Sequence, residues 1–248
     1  MDKVIVITGA SRGIGAASAR LAAEQGYRIC INYRADDQAA ERILAEVRER
    51  GAEAIAVRAD ASVEDEVIQL FQRVDHELGP VTALVNNAGT IGPQSRLEDM
   101  SEFRLLNLMK TNVVGPMLCA KHALLRMARR HGGQGGAIVN VSSLAARLGS
   151  PAEYVDYAAS KGALDTFTIG LAKEVAGEGV RVNGVRPGYI HTGFHALSGD
   201  AERVHKLEAG LPMGRGGQPE EVAEAILWLL SDKASYSTGS FIELGGGR

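Results

Sequence analysis

Tyr157 stands four residues before Lys161 in the run Tyr157-Ala158-Ala159-Ser160-Lys161. On a helix that spacing puts both side chains on one face, one turn apart. A lysine ammonium held beside a phenol favours the phenolate and lowers a pKa that starts at about 10. The pair is therefore expected to give or take a proton at neutral pH. Far upstream lies a second group, Thr8-Gly9-Ala10-Ser11-Arg12-Gly13-Ile14-Gly15. Gly9 permits a tight turn, Gly13 lets the backbone approach a pyrophosphate, and Gly15 allows close packing of a helix on a strand. Free N–H groups at the start of that helix would face the phosphates. Either group alone is weak, since Tyr/Lys pairs and glycine-rich loops are both common. Together, a proton-transfer device and a seat for a redox dinucleotide point to an oxidoreductase.

The elements that must position these groups follow from periodicity. Residues 3–8 form a short β-rich apolar run and 14–25 an Ala-rich helix, so the glycines fall where a strand hands over to a helix. The pattern then repeats. Strands are predicted at 28–33, 53–58, 81–86, 137–142, 180–185 and 240–244. Helices are predicted at 37–50, 63–78, about 100–130, through Tyr157 to 176, and from Pro219 to about 230. Regular alternation argues for a parallel sheet covered by helices on both faces. The expected fold is α/β, a doubly wound Rossmann fold with seven parallel strands, formed as one domain over residues 1–248. Residues 188–218 carry several glycines and no convincing pattern. A long insertion of that kind in a compact α/β domain is usually functional, here a lid over the site.

The glycine spacing is GxxxGxG rather than GxGxxG, and with Tyr157 and Lys161 it resembles the classical short-chain dehydrogenases/reductases from end to end. Asn86-Asn87-Ala88-Gly89, Asn112, Ser142-Ser143, and Pro187-Gly188 followed by Thr192 match further landmarks in the same order. The resemblance implies hydride exchange between a nicotinamide and a carbonyl or secondary alcohol, with Tyr157 as general acid or base. It further implies that Lys161 binds the nicotinamide ribose, that Ser143 orients the carbonyl, and that Asn112 supports a water linking Lys161 to solvent. Ser142 is the competing serine. Tyr154 has Ala158 four residues on, not lysine, and is set aside. Around the cofactor, the resemblance implies contacts from Gly9, Ser11, Arg12, Gly13, Ile14 and Gly15, from Tyr33 and Arg34, and from Asp60 and Ala61 at the adenine. Asn87, Ala88 and Gly89 would wall the riboses, while Pro187, Gly188, Ile190 and Thr192 would hold the nicotinamide end.

Cofactor choice can be argued from charge. An NAD site places Asp or Glu at the end of the second strand, where the ribose 2′-hydroxyl binds. Tyr33 stands there instead, with Arg34 beside it and Arg12 in the glycine turn. Two guanidinium groups suit a 2′-phosphate, which favours NADP(H) over NAD(H). The competing reading has both arginines as solvated surface charges, with Asp36 or Asp37 pairing Arg34.

A formal net charge of −3 gives no reason to expect nucleic acid or an anionic membrane. No apolar run approaches membrane-spanning length, and Asp2 and Lys3 lead straight into a strand, so a cytoplasmic protein is expected. Cys30 and Cys119 read as small buried hydrophobes, with neither a disulfide nor a metal site expected. His191, His195 and His205 fall in the lid, where a histidine can contact substrate or simply be solvated; His76, His122 and His131 read as helix-surface or loop residues. Arg129, Arg130 and His131 are a basic run at a helix end, where cations complement the dipole. Among family members, the ketoacyl-acyl-carrier-protein reductases and glucose dehydrogenase-like enzymes share this size and layout. The former bind an acidic carrier through basic residues; Arg130 fits that pattern, and Glu178 opposes it. The resemblance also implies a homotetramer, built through the 100–130 and Tyr157 helices and through the last helix and strand. A dinucleotide-sensing protein without turnover is the reading from a different class, disfavoured because Ser143, Tyr157, Lys161 and Asn112 are all kept.

Overall fold

Val4–Ile7 (β1) is buried on both faces, as its unbroken apolar sequence requires in a parallel sheet. Ile5 and Ile7 enter one core while Val4 and Val6 enter the other, so the two-residue period sorts the strand between two layers. The computed structural model describes residues 3–248. After β1 come α1 (Gly13–Glu24), β2 (Arg28–Tyr33), α2 (Asp37–Glu49), β3 (Ala54–Arg58), α3 (Glu64–Glu77) and β4 (Ala83–Asn86). The chain continues through α4 (Glu102–Met109), α5 (Gly115–Met127), β5 (Gly136–Val141), α6 (Ala145–Leu148), α7 (Val155–Val175) and β6 (Val180–Pro187). It closes with α8 (Arg203–Leu207), α9 (Pro219–Leu230) and β7 (Phe241–Leu244).

The seven strands form one parallel sheet in the order β3-β2-β1-β4-β5-β6-β7. One core joins the sheet to α1, α2 and α9, with Ala16, Ala19, Ile43 and Ile226 among its members. The other joins it to α3, α5 and α7 through Leu70, Phe71, Ala123 and Val175. This is the expected doubly wound fold. The order reverses between β1 and β4, so the loops leaving those strands diverge and open a crevice at the carboxyl ends.

The expected helical stretch over 100–130 runs continuously from Glu102 to Met127 but changes its winding in the middle. A 3₁₀ turn at Leu97–Asp99 precedes α4, a π turn at Lys110–Val114 separates α4 from α5, and Arg129–His131 is again 3₁₀. Pro116 explains the π turn, because it has no N–H to give the Asn112 carbonyl four residues back, and its ring crowds that carbonyl. The patternless stretch after β6 is partly ordered. It holds α8, flanking 3₁₀ turns at His195–Ser198 and Glu208–Gly210, and a bridge pairing Ile190 with Gly217. Its turns are too short to give a readable period. His122 also differs from expectation: it is buried, its ring 6.0 Å from that of Phe71 and its basicity lowered by burial and by Arg126 and Lys121. Cys30 and Cys119 are free and buried.

Candidate active site

The crevice at the β1/β4 reversal is a cleft of ≈ 1020 Å³. Its floor is fixed by a hydrogen-bonded knot. The Thr8 hydroxyl accepts from the backbone N–H of Asn87 and of Ala88, each at 3.0 Å, and the Asn87 side chain donates to the carbonyls of Thr8 and Gly9 at 2.9 and 3.0 Å. The glycine turn and the loop after β4 are thereby one unit. Gly9 and Gly13 have φ of 63° and 55°, the left-handed region that only glycine enters without strain. A Cβ on Gly15 would lie 2.6 Å from both the Asn87 side chain and the Gly9 carbonyl, so this glycine is needed against the turn itself. Helix α1 then starts with no capping side chain and no acid in its first turn. Its first N–H groups are left to whatever lies in the cleft, an arrangement suited to an anion.

The opposite wall is the start of α7. Arg104 of α4 grips Asp156 with two hydrogen bonds at 2.7 and 3.2 Å, and Asp156 accepts from the Tyr157 N–H, fixing where the helix begins. Tyr157 and Lys161 line the cleft one turn apart, with the Lys161 ammonium 5.7 Å from the Tyr157 ring centroid and donating to the Val141 carbonyl at 2.8 Å. Ser142 and Ser143 part company. The Ser142 hydroxyl donates to the Lys161 carbonyl, whereas Ser143 neighbours the Tyr157 phenol, and a hydrogen bond between them pulls the phenol's pKa down.

Net, however, Tyr157 moves opposite to the sequence expectation. Burial pushes its pKa up to about 12, and burial pulls Lys161 down to about 8 against the partial support of Asp165. Both groups sit in a region that penalises charge, and burial is the largest cause of each shift. The sign of the stability effect follows. Below pH 8 both folded and unfolded chains carry the Lys161 proton, and the folded state bears the cost of a buried ammonium. Between about 8 and 10.5 only the unfolded chain keeps it, so stability rises with pH by roughly 3 kcal/mol. Tyr157 acts in reverse from 10 to about 12, where only the folded chain keeps its proton and stability falls. Urea unfolding at pH 7.5 and 10 is expected to show the Lys161 rise in the wild type and not in Lys161→Met; equal pH slopes would refute it.

Most residues expected at the cofactor do line the cleft: Ser11, Arg12, Ile14, Tyr33, Arg34, Asp60 and Ala61 toward one end, and Pro187, Gly188, Ile190 and Thr192 toward the other. Gly15 and Asn112 do not reach its surface. Asn112 is fully buried behind Gly89 and Thr90, its oxygen accepting from Thr90 N–H at 2.8 Å and its amide donating to the Thr90 carbonyl and the Ser160 hydroxyl. Burial would raise the Asp60 carboxyl, but two hydrogen bonds from Ser62 and the nearby charges of Arg34 and Lys110 hold it below its ordinary range. The acids beside Arg34 are engaged elsewhere. Asp36 caps α2 at the Ala39 N–H, and Asp37 bonds the Tyr33 hydroxyl and lies 3.9 Å from Arg58. Among the described residues, neither the Arg12 nor the Arg34 guanidinium is in an ion pair.

Sequence reasoning missed much of the far wall. Tyr154, Glu153, Tyr189, Phe194, Arg203 and Arg248 all line the cleft with His195. Tyr154 has no lysine partner, but it stands three residues before Tyr157, which is itself a same-face spacing. Arg203 and Arg248 sit in segments without a period, so nothing in the sequence marks them. His191 and His205 turn away to pair with Glu208 at 3.1 and 3.4 Å beside a separate, smaller hollow.

A doubly wound parallel sheet with a glycine-turn crevice, a Tyr/Lys pair on its wall and a serine beside the tyrosine defines a dinucleotide-binding α/β oxidoreductase. The profile of the family described as "Enoyl-(Acyl carrier protein) reductase" matches residues 9–248. The chain is 52% identical over 245 residues to the "Uncharacterized oxidoreductase YgfF" of Escherichia coli (strain K12), covering 99% of each chain. It is 35% identical over 247 residues to the "3-oxoacyl-[acyl-carrier-protein] reductase FabG" of Staphylococcus epidermidis, covering 100% of this chain and 99% of that one. A short-chain type dehydrogenase/reductase from Mycobacterium marinum superposes with a TM-score of 0.92 at 34% identity, over 99% of this chain and 94% of its own. The chain belongs to the short-chain dehydrogenase/reductase family. Among the described residues no helix is long and apolar enough to cross a membrane.

Proposed function

We propose that the protein is an NADP(H)-dependent oxidoreductase that interconverts a carbonyl and a secondary alcohol, with Tyr157 as its general acid/base. The observation that carries this reading is that Tyr157, Ser143 and Lys161 line the same cleft as the glycine turn. The uncapped start of α1, the left-handed Gly9 and Gly13 and the unpaired Arg12 and Arg34 fit a dinucleotide with a 2′-phosphate. Bound NADPH supplies the hydride. Ser143 orients the carbonyl oxygen toward the phenol, and Tyr157 protonates that oxygen as negative charge develops. A phenol kept neutral by burial has a proton to give at neutral pH. Lys161, with its pKa near 8, still carries a proton at neutral pH and can return one to Tyr157. The Asn112 side chain is spent on Thr90 and Ser160. A water relaying protons to Lys161 would then be held by the Asn112 backbone carbonyl, which Pro116 deprives of its ordinary helical donor.

Reduction of a 3-oxoacyl chain on a carrier protein is the narrower reading, and the surface disfavours it. Glu178 lies 3.2 Å from Arg130 and neutralises the cation that would greet an acidic carrier. The test is NADPH oxidation against a panel of small ketones, aldehydes, oxo acids and a 3-oxoacyl thioester. NADPH-dependent turnover is expected; tight NADPH binding with no turnover of any carbonyl would turn the reading toward a sensor.

We infer a homotetramer. Phe103 and Leu106 of α4 are 80% and 63% exposed, and Met117 of α5, Trp228 of α9 and Tyr236 are exposed as well. These large apolar side chains lie in the two segments through which the family resemblance implies subunit contacts, and association would cover them. Light scattering is expected to give the mass of four chains, and a clean monomer would sink the assembly.

A further inference from the structure

At the end of the cleft away from the glycine turn, three side chains gather around Tyr189. The Arg203 guanidinium carbon is 5.8 Å from the Tyr189 ring centroid, that of Arg248 is 4.7 Å away, and the His195 ring centroid is 6.1 Å away. An aromatic wall connects this cluster to the reacting end, because Phe194 lies 5.8 Å from Tyr157 and 6.0 Å from His195. We propose that this cluster is a carboxylate subsite, and that the substrate is a small oxo or hydroxy acid whose anionic end is held by Arg203, with Arg248 as a second cation at the rim. The inference rests on the reading of Tyr157 as the proton donor.

Arg203 carries the argument. Its side chain is only 7% exposed, yet its single hydrogen bond is one from Nη2 to Glu153 at 2.6 Å. A guanidinium offers five N–H donors in a planar fork. The others have no hydrogen-bond acceptor among the described residues, and the side chain lines the cleft. An arginine held in place with free fork positions facing a cavity is matched by a carboxylate.

An ion pair that serves only structure would look different. Glu153 is itself anchored, its second oxygen accepting from Gln94 at 3.2 Å, and the Tyr154 ring lies 5.1 Å from the Arg203 carbon. Arg203 is thus held in one orientation rather than simply neutralised. Arg248, whose guanidinium stacks on Tyr189, is in no ion pair with an acidic side chain among the described residues. His195 adds a buried Nδ1 with no hydrogen-bond partner. Between the cluster and Tyr157 the walls are apolar, with Leu144, Leu148 and Phe194 facing the space. That suits a hydrocarbon spacer between a reacting carbonyl and a carboxylate. Reduction would convert the C=O to CH–OH with a hydride from NADPH and the proton from Tyr157, leaving the carboxylate unchanged.

The test compares straight-chain oxo acids of four to eight carbons with their methyl esters. The wild type is expected to favour the acid in kcat/KM by about 10- to 100-fold at the best chain length, the range for a hydrogen bond to a charged group. Arg203→Gln is expected to collapse that ratio through KM, Arg203→Lys to retain part of it, and Arg248→Ala to reduce it by about threefold. A wild-type ratio near one would overturn the subsite and leave the oxidoreductase reading standing. A binding measurement separates the two claims and needs no turnover. Calorimetry on NADP⁺-loaded protein is expected to show cyclohexanecarboxylate binding at least about tenfold more tightly than cyclohexanecarboxamide, an advantage absent in Arg203→Gln. If neither acids nor esters turn over, the calorimetry decides alone, and equal affinities would overturn the subsite while ketone or aldehyde turnover keeps the role of Tyr157.

Discussion

Tyr157→Phe is expected to lower kcat for carbonyl reduction by about 10³-fold, within the range for removal of a general acid. Phenylalanine keeps the ring contact with Phe194 and the packing beneath Lys161, and loses only the hydroxyl. That hydroxyl has Ser143 as its one hydrogen-bonding neighbour, so the fold loses little when it goes. Without it, the developing alkoxide would form in a buried site with no donor matched to it except Ser143, a far weaker acid. Because the missing interaction is made only as charge develops, kcat and kcat/KM should fall together while the dissociation constant of NADPH stays within about twofold. Stopped-flow single turnovers with saturating NADPH separate the chemical step from product release. A variant within about tenfold of wild type in that step would remove Tyr157 from the role of proton donor.

The same tyrosine shows how far a sequence can be read. The spacing of Tyr157 and Lys161 is enough to place them together on α7, and the unbroken apolar run Val4–Ile7 is enough to make β1 a strand buried on both faces. Both are local consequences of backbone geometry. The direction of the phenol's pKa is not local. It depends on how completely the surrounding chain encloses the ring, and burial outweighs the hydrogen bond from Ser143. Asn112 illustrates a second limit. A helical pattern over 100–130 is real, but Pro116 converts its middle into a π turn that sinks the Asn112 side chain behind Gly89. Arg203 lies beyond either kind of inference. It sits in a five-residue helix, and its partner Glu153 is fifty positions away. Only the folded chain brings the pair to the same wall.

Replacing both cleft arginines, as Arg12→Ser with Arg34→Asp, is expected to weaken NADPH binding by about 10² to 10⁴-fold, since each charge-assisted hydrogen bond contributes about 1.5–3 kcal/mol. Affinity for NADH should hold or improve, so the preference inverts. Both guanidiniums are exposed and in no ion pair among the described residues, so the wild-type preference for NADPH should shrink as salt is raised, while NADH binding barely responds. Fluorescence titrations with the two dinucleotides at low and high ionic strength measure both effects. An unchanged NADPH/NADH ratio in the double variant would overturn the cofactor assignment. The neighbouring acids do not offer the wild type an equivalent NAD site. Asp36 holds the Ala39 N–H through Oδ1, a helix cap that stabilises by about 1 kcal/mol and ties the carboxylate to the start of α2. To grip a ribose 2′-hydroxyl, Asp37 would have to leave the Tyr33 hydroxyl and Arg58. Tyr33 itself stands at the end of β2, where an NAD site carries its acid, and Arg12 and Arg34 line the cleft in no ion pair among the described residues, which is the ground on which a 2′-phosphate is proposed there.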